Sequence, residues 1–283
     1  MTVWFITGAS RGFGLEIARQ ALERGDRVVA TARRPHEIEQ ALPGHGARLL
    51  AVPLDVTDEA QAASAVKAAT DAFGELDVLV NNAGRGVLGA VEETSGDAVR
   101  AVFDTNVFGL LNVTRAVLPV MRRQGRGHIL NLSSVGGFEG VAGFGVYCST
   151  KFAVEGLSEA LHQEVSPLGL KVTVVEPGYF RTDFLDGTSL HVEEQVIPDY
   201  EATAGAVRGV VPGLNHSQPG DPVKGAAAIL RLVDTDEPPL RAQLGSDCAG
   251  AMDRKVAQLS EESLAWRELA LSTDHDDVVT ARG

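Results

Sequence analysis

Val3-Trp4-Phe5-Ile6-Thr7-Gly8-Ala9-Ser10-Arg11-Gly12-Phe13-Gly14 is the stretch whose reading decides the fold. An apolar run closed by a glycine suits a strand buried on both faces of a parallel sheet. The pattern then turns helical from Leu15 to Arg24 and stops at Gly25. A strand, a glycine-rich turn and a helix start together make a pyrophosphate site. The glycines let the backbone approach, and the helix N-terminus supplies free N–H groups and positive potential. The spacing is G-x-x-x-G-x-G, not G-x-G-x-x-G, so on its own it also describes a tight strand-to-helix turn.

Working outward, the same alternation repeats. Strands are expected at Arg27 to Thr31, Leu49 to Leu54, Asp77 to Val80, Gly127 to Leu132, Leu170 to Val175 and Leu240 to Leu244. Helices are expected from Thr57 to Phe73, Asp97 to Arg123, around Tyr147 and Lys151, Pro222 to Val233 and Met252 to Ala270. This predicts an α/β fold, a doubly wound parallel sheet of Rossmann type, in a single domain over residues 1–283. Residues 181–219 lose the pattern and read as a helical substrate loop, and residues 274–283 as a frayed acidic tail.

Composition narrows the partners. The net charge of −13 argues against nucleic acid or an anionic membrane, both of which need a basic face. Two cysteines, Cys148 and Cys248, give neither a disulfide framework nor metal spacing, so no metal is expected and a reducing, cytoplasmic setting is. No apolar run is long enough to span a bilayer. The first strand leaves no room for a leader ahead of it.

The chemistry-bearing residues fall after strands, at the sheet edge where such folds bind ligands. The second strand ends in Ala32-Arg33-Arg34, with no carboxylate to repel a 2′-phosphate and two guanidiniums to hold it. Arg11 adds a third, which favours NADP(H) over NAD(H). Asp55 follows the third strand and Asn81-Asn82-Ala83-Gly84 the fourth. Asn106 lies within an apolar helix, a costly place without partners. Ser133-Ser134 ends the fifth strand; adjacent strand residues face opposite ways, so one of them faces the edge. Tyr147 and Lys151 are four apart on one helix face. A lysine ammonium beside a phenol is expected to lower the tyrosine pKa and make it a general acid/base. Cys148, turned about 100° away, reads as a small buried hydrophobe.

Taken together, Thr7-Gly8 through Gly14, Asn81-Asn82-Ala83-Gly84, Asn106, Ser134, Tyr147 with Lys151, and Pro177-Gly178 with Thr182 resemble the classical short-chain dehydrogenase/reductases. The resemblance covers about residues 2–182 and then the last helix and strand. Ser134 precedes Tyr147 by thirteen residues, the family's usual interval, which selects it over Ser133. The resemblance implies that Tyr147 moves a proton to or from the substrate oxygen, Ser134 hydrogen-bonds that oxygen, and Lys151 holds the nicotinamide ribose. Asn106 would anchor a water linking Lys151 to solvent. It further implies a pyrophosphate held by Gly8, Ser10, Arg11, Gly12, Phe13 and Gly14, and a 2′-phosphate on Arg33, Arg34 and Arg11. Adenine would meet Asp55 and Val56, the ribose Asn82, Ala83 and Gly84, and the nicotinamide Pro177, Gly178 and Thr182.

Gly136, Phe138, Phe144, Tyr179 and Phe184 flank these motifs, and with Ser134 they form the expected substrate pocket. The expected activity is NADP(H)-dependent hydride transfer between nicotinamide and a hydrophobic ketone or secondary alcohol. The general sequence looks similar to hydroxysteroid and retinol dehydrogenases or carbonyl reductases. The alternatives are an acyl-carrier-protein ketoreductase, which the acidic balance disfavours, a non-catalytic NADP(H)-binding regulator, which has no need of Ser134, Tyr147 and Lys151 together, and a sugar-nucleotide epimerase, which wants a larger C-terminal region. The helices of Asn106 and Tyr147 often form the subunit interface in this family, so the resemblance implies a homodimer or homotetramer with Phe108 and Leu111, or Phe152 and Leu157, as contacts; the C-terminal helix is the alternative, supporting a monomer or dimer instead.

Overall fold

Seven parallel strands form the central sheet of the computed structural model, which describes residues 1–275. They are β1 (Val3–Thr7), β2 (Arg27–Ala32), β3 (Leu49–Pro53), β4 (Val78–Asn81), β6 (Gly127–Leu132), β7 (Leu170–Pro177) and β9 (Arg241–Leu244), in the order β3-β2-β1-β4-β6-β7-β9. The order reverses between β1 and β4, which opens the crevice at a topological switch point. β5 (Gly86–Leu88) and β8 (Leu190–Val192) make a separate two-stranded parallel sheet.

Alternation along β1 shows how the layers form. Trp4 and Ile6 pack with Ile17, Leu22, Ile38 and Ile229, from α1 (Gly12–Glu23), α2 (His36–Ala41) and α8 (Pro222–Val233). Val3 and Phe5 point the other way, to Val66 and Ala69 of α3 (Glu59–Phe73), Val117 of α5 (Gly109–Gln124) and Val165 of α6 (Gly145–Val165). Trp4, Phe5 and Ile6 are fully buried. Each buried side chain of this size contributes about 1.5–3 kcal/mol. Asp58 caps α3 by accepting from Ala60 and Gln61 N–H, and Asp221 caps α8 ahead of Pro222.

Three sequence expectations shift. The helix expected at 97–123 is α4 (Gly96–Phe103) and α5 joined by a π turn over Asp104–Phe108, so Asn106 sits on an extra residue in the helical ladder. The loosely patterned 181–219 segment holds β8 and α7 (Ala206–Leu214), tied down by the buried Glu93. Glu93 accepts from Arg208 at 2.5 Å, from Ala90 N–H and from Ile197 N–H. The C-terminal helix begins earlier, as α9 (Ser246–Ala265), and continues as α10 (Arg267–Leu271). Of the tail expected from Asp274, residues 276–283 lie outside the described residues. No helix among the described residues is long and apolar enough to cross a membrane.

Candidate active site

The carboxyl ends of the strands open into a cleft of about 670 Å³. Its cofactor end is built from backbone. Gly8 and Gly12 have φ of +65° and +56°, and a Cβ on Gly8 would lie 2.9 Å from Ala83 Cα. Only glycine adopts that conformation at this approach without strain. Gly14 does not line the cleft; it lets α1 pack on Gly8 and Asn82. Arg11 caps α1 without a side-chain hydrogen bond, so no side chain of its own claims the helix's first N–H groups. That fits a pyrophosphate. Asn82 Nδ2 donates to Thr7 and Gly8 carbonyls, and Thr7 Oγ1 accepts from Asn82 and Ala83 N–H, which staples the Asn-Ala-Gly turn to β1.

Arg33, Arg34, Asp55 and Val56 line the same cleft. Arg34 is paired with Glu37 at 2.8 Å, whereas exposed Arg33 has no ion pair among the described residues. Glu37, also lining the cleft, was not singled out by the sequence, because it lies inside a short helix the pattern did not reveal. Arg11 differs from expectation. Its guanidinium donates to Thr188 O and to Ser189 Oγ (2.8 Å), tying the glycine turn to the 181–219 segment rather than standing free beside Arg33.

The catalytic candidates converge in mid-cleft. Ser134, Tyr147 and Lys151 all line it. Ser134 Oγ accepts from Gly136 N–H, which leaves its hydrogen free to donate. Ser133 also lines the cleft, but its buried hydroxyl has no hydrogen-bond partner among the described residues. Lys151 Nζ donates to Leu132 O at 2.8 Å and lies 5.8 Å from the Tyr147 ring centre. Asn106 is fully used: Nδ2 donates to Arg85 O and Thr150 Oγ1, and Oδ1 accepts from Arg85 N–H. The π turn is what aims it there. Thr150, inside the Tyr-to-Lys interval, and Arg85 are partners that nothing in the sequence pattern marks.

Burial governs the electrostatics. It brings the Lys151 ammonium down to about 8, with Glu155 opposing. It pushes the Tyr147 phenol well up, with Ser134 pulling it partly back. The expected lowering of Tyr147 by Lys151 is therefore not met in the free protein: desolvation of the phenol outweighs a charge that is itself held by a carbonyl. Behind Lys151, burial and each other's charge raise Glu176, to about 7, and burial raises Glu155, while Arg241 spans both.

Gly136, Phe144, Tyr179 and Phe184 also line the cleft, as do Pro177, Gly178 and Thr182. The Tyr147 ring packs 5.4 Å from Phe184 and 6.2 Å from Phe144, centre to centre. Phe138 does not line it; the short 3₁₀ turn Val135–Gly137 carries it past. Cys148 is buried, as expected.

A short-chain dehydrogenase family model matches residues 2–193. The chain belongs to the short-chain dehydrogenase family. It is 42% identical over 272 residues to the oxidoreductase BOA17 of Botryotinia fuckeliana, covering 96% of this chain and 98% of that one. It is 39% identical over 241 residues to a 3-ketodihydrosphingosine reductase of Bacteroides thetaiotaomicron, covering 85% and 86%. A Streptomyces avermitilis short-chain dehydrogenase structure superposes with a TM-score of 0.90 at 41% identity, covering 97% of this chain and all of that one. A Burkholderia phymatum short-chain dehydrogenase/reductase in complex with NAD gives a TM-score of 0.80 at 25% identity, covering 99% and 98%. The protein is an oxidoreductase of this family, which binds a nicotinamide cofactor.

Proposed function

We propose that this short-chain dehydrogenase is an NADP(H)-dependent reductase of hydrophobic ketones, running in reverse on secondary alcohols. The observation that carries the reading is the convergence of Ser134, Tyr147 and Lys151 in one cleft, walled by aromatic rings at one end and by Arg33 at the other. When bound, nicotinamide supplies or accepts the hydride. Tyr147 gives its phenolic proton to the carbonyl oxygen, and Ser134 donates a hydrogen bond to the same oxygen as negative charge develops. Lys151, anchored on Leu132 O, supplies positive charge beside the phenol and a donor toward the ribose. Asn106 holds the Arg85 backbone and Thr150 in register with it.

For the cofactor, the unpaired Arg33 beside a neutralised Arg34 supports a 2′-phosphate. For the substrate, Phe144, Tyr179 and Phe184 support an apolar group next to the carbonyl, and the relative named as a 3-ketodihydrosphingosine reductase acts on a ketone. The test is NADPH oxidation with a panel of aliphatic and aromatic ketones, with Tyr147→Phe as the blank. Turnover that survives in Tyr147→Phe, or that is faster with NADH, overturns the reading.

A further inference from the structure

The C-terminal helix is the largest feature of the chain that the catalytic reading leaves unused. Only Cys248 and Ala251 of α9 are buried. From Val256 onward every described residue is exposed, with Val256 at 59%, Leu259 at 50%, Leu264 at 69% and Trp266 at 67%. A helix standing in water without tertiary contacts is marginal at this length, and proteins stabilise such helices by packing an apolar face.

That face exists. Met252, Val256, Leu259 and Ser263 of α9 follow steps of four, three and four, the seam of a two-helix coil, and Trp266 stands just past the helix end. The charges beside the seam indicate what covers it. Lys255 and Glu262, seven residues apart, border the same edge. In an antiparallel pair with its two-fold axis at Leu259, like edges meet, so Lys255 of each copy faces Glu262 of the other. Leu259 then meets its own counterpart, and Val256 of each copy comes level with Ser263 of the other. A parallel pair would leave Lys255 opposite Ser260. A bilayer is a poorer fit: residues 253–268 carry three basic and four acidic side chains, and amphipathic membrane helices are rich in Lys and Arg.

We infer that α9 is a self-association element, pairing antiparallel with α9 of a second copy of this chain across a two-fold axis at Leu259. This interface uses a different element from the exposed Phe108 and Phe152, which belong to the π turn and to α6. It does not depend on which substrate the cleft takes.

The experiment is analytical ultracentrifugation of the full chain, with cofactor binding and the melting temperature recorded for every variant to establish that the body is folded. Wild type sediments as a dimer or a multiple of one, and Leu259→Asp halves the assembly. Lys255→Glu or Glu262→Lys alone raises the dissociation constant by about tenfold or more, as like charges meet twice across the axis. The double variant Lys255→Glu/Glu262→Lys restores association. A monomeric wild type, an assembly unchanged by Leu259→Asp, or a double variant as weak as the singles overturns the inference. So does monomeric wild type that floats with phosphatidylcholine–phosphatidylserine vesicles in a Leu259-dependent way.

Discussion

The two ends of the cleft are made differently. The cofactor end is backbone: a glycine turn, an uncapped helix start and an Asn-Ala-Gly turn stapled to β1. The substrate end is side chains on short pieces, held in place by ties such as Arg11 to Ser189 and Arg208 to Glu93. A backbone site is fixed by a few residues that have no substitutes. A tied loop is fixed by many contacts, each of which can loosen without unmaking the rest. Changes at the first end should act nearly all-or-none, and at the second by degrees.

The largest effect is expected where both ends meet. Tyr147→Phe should lower kcat by roughly 10²–10⁴-fold with cofactor binding intact, read by steady-state turnover beside NADPH titration. If NADPH affinity falls with it, the phenol belongs to the cofactor end rather than to chemistry alone. Next, Arg33→Ala should weaken NADPH binding by about 1.5–3 kcal/mol and leave NADH nearly unchanged, while Arg34→Ala does less because Glu37 already engages it. Equal losses in the two variants would erase the distinction between a free and a paired guanidinium. Smaller and graded, Arg11→Ala and Arg208→Met should each raise KM for the ketone several-fold with kcat little changed, since each cuts one tie of the substrate segment. A collapse of kcat in either would mean that the loop is part of the catalytic frame.

The smallest effect concerns neither end. Burial lowers His128, on β6, from its ordinary 6.5 to about 4. The unfolded chain therefore binds a proton between those values that the folded chain refuses, so stability rises with pH across that window. His128→Gln should flatten the fall in melting temperature between pH 6.5 and 4, which at full extent is worth roughly 3 kcal/mol. Glu176 acts in the opposite sense: raised to about 7, it holds its proton when folded and costs stability as pH climbs from 4.5 to 7.

Much of this was legible because the signals were periodic or local. The apolar run closed by Gly8 marked β1, and the helices expected from Thr57 and Pro222 are α3 and α8. The strand-end motifs mark sheet-edge residues by register alone. What escaped had no period. Arg11 carried no sign of which of its neighbours it would bind, since Thr188 and Ser189 are 177 and 178 residues away. β5 and β8 are three residues each, too short to alternate visibly. The Tyr147 phenol was expected low from its neighbour Lys151, but its pKa depends on how deeply the ring is buried, which no spacing reports. Phe138 was placed in the pocket by proximity in sequence, and one tight turn sufficed to carry it out.

The π turn at Asp104–Phe108 is, in helical terms, a single inserted residue that was never removed. Such turns gather at functional sites. Deleting Thr105 would let α4 and α5 run on as one regular helix and would turn Asn106 out of reach of Arg85 and Thr150. The shortened chain should be the better helix and the worse catalyst, so the irregularity is a flaw the protein has reason to keep.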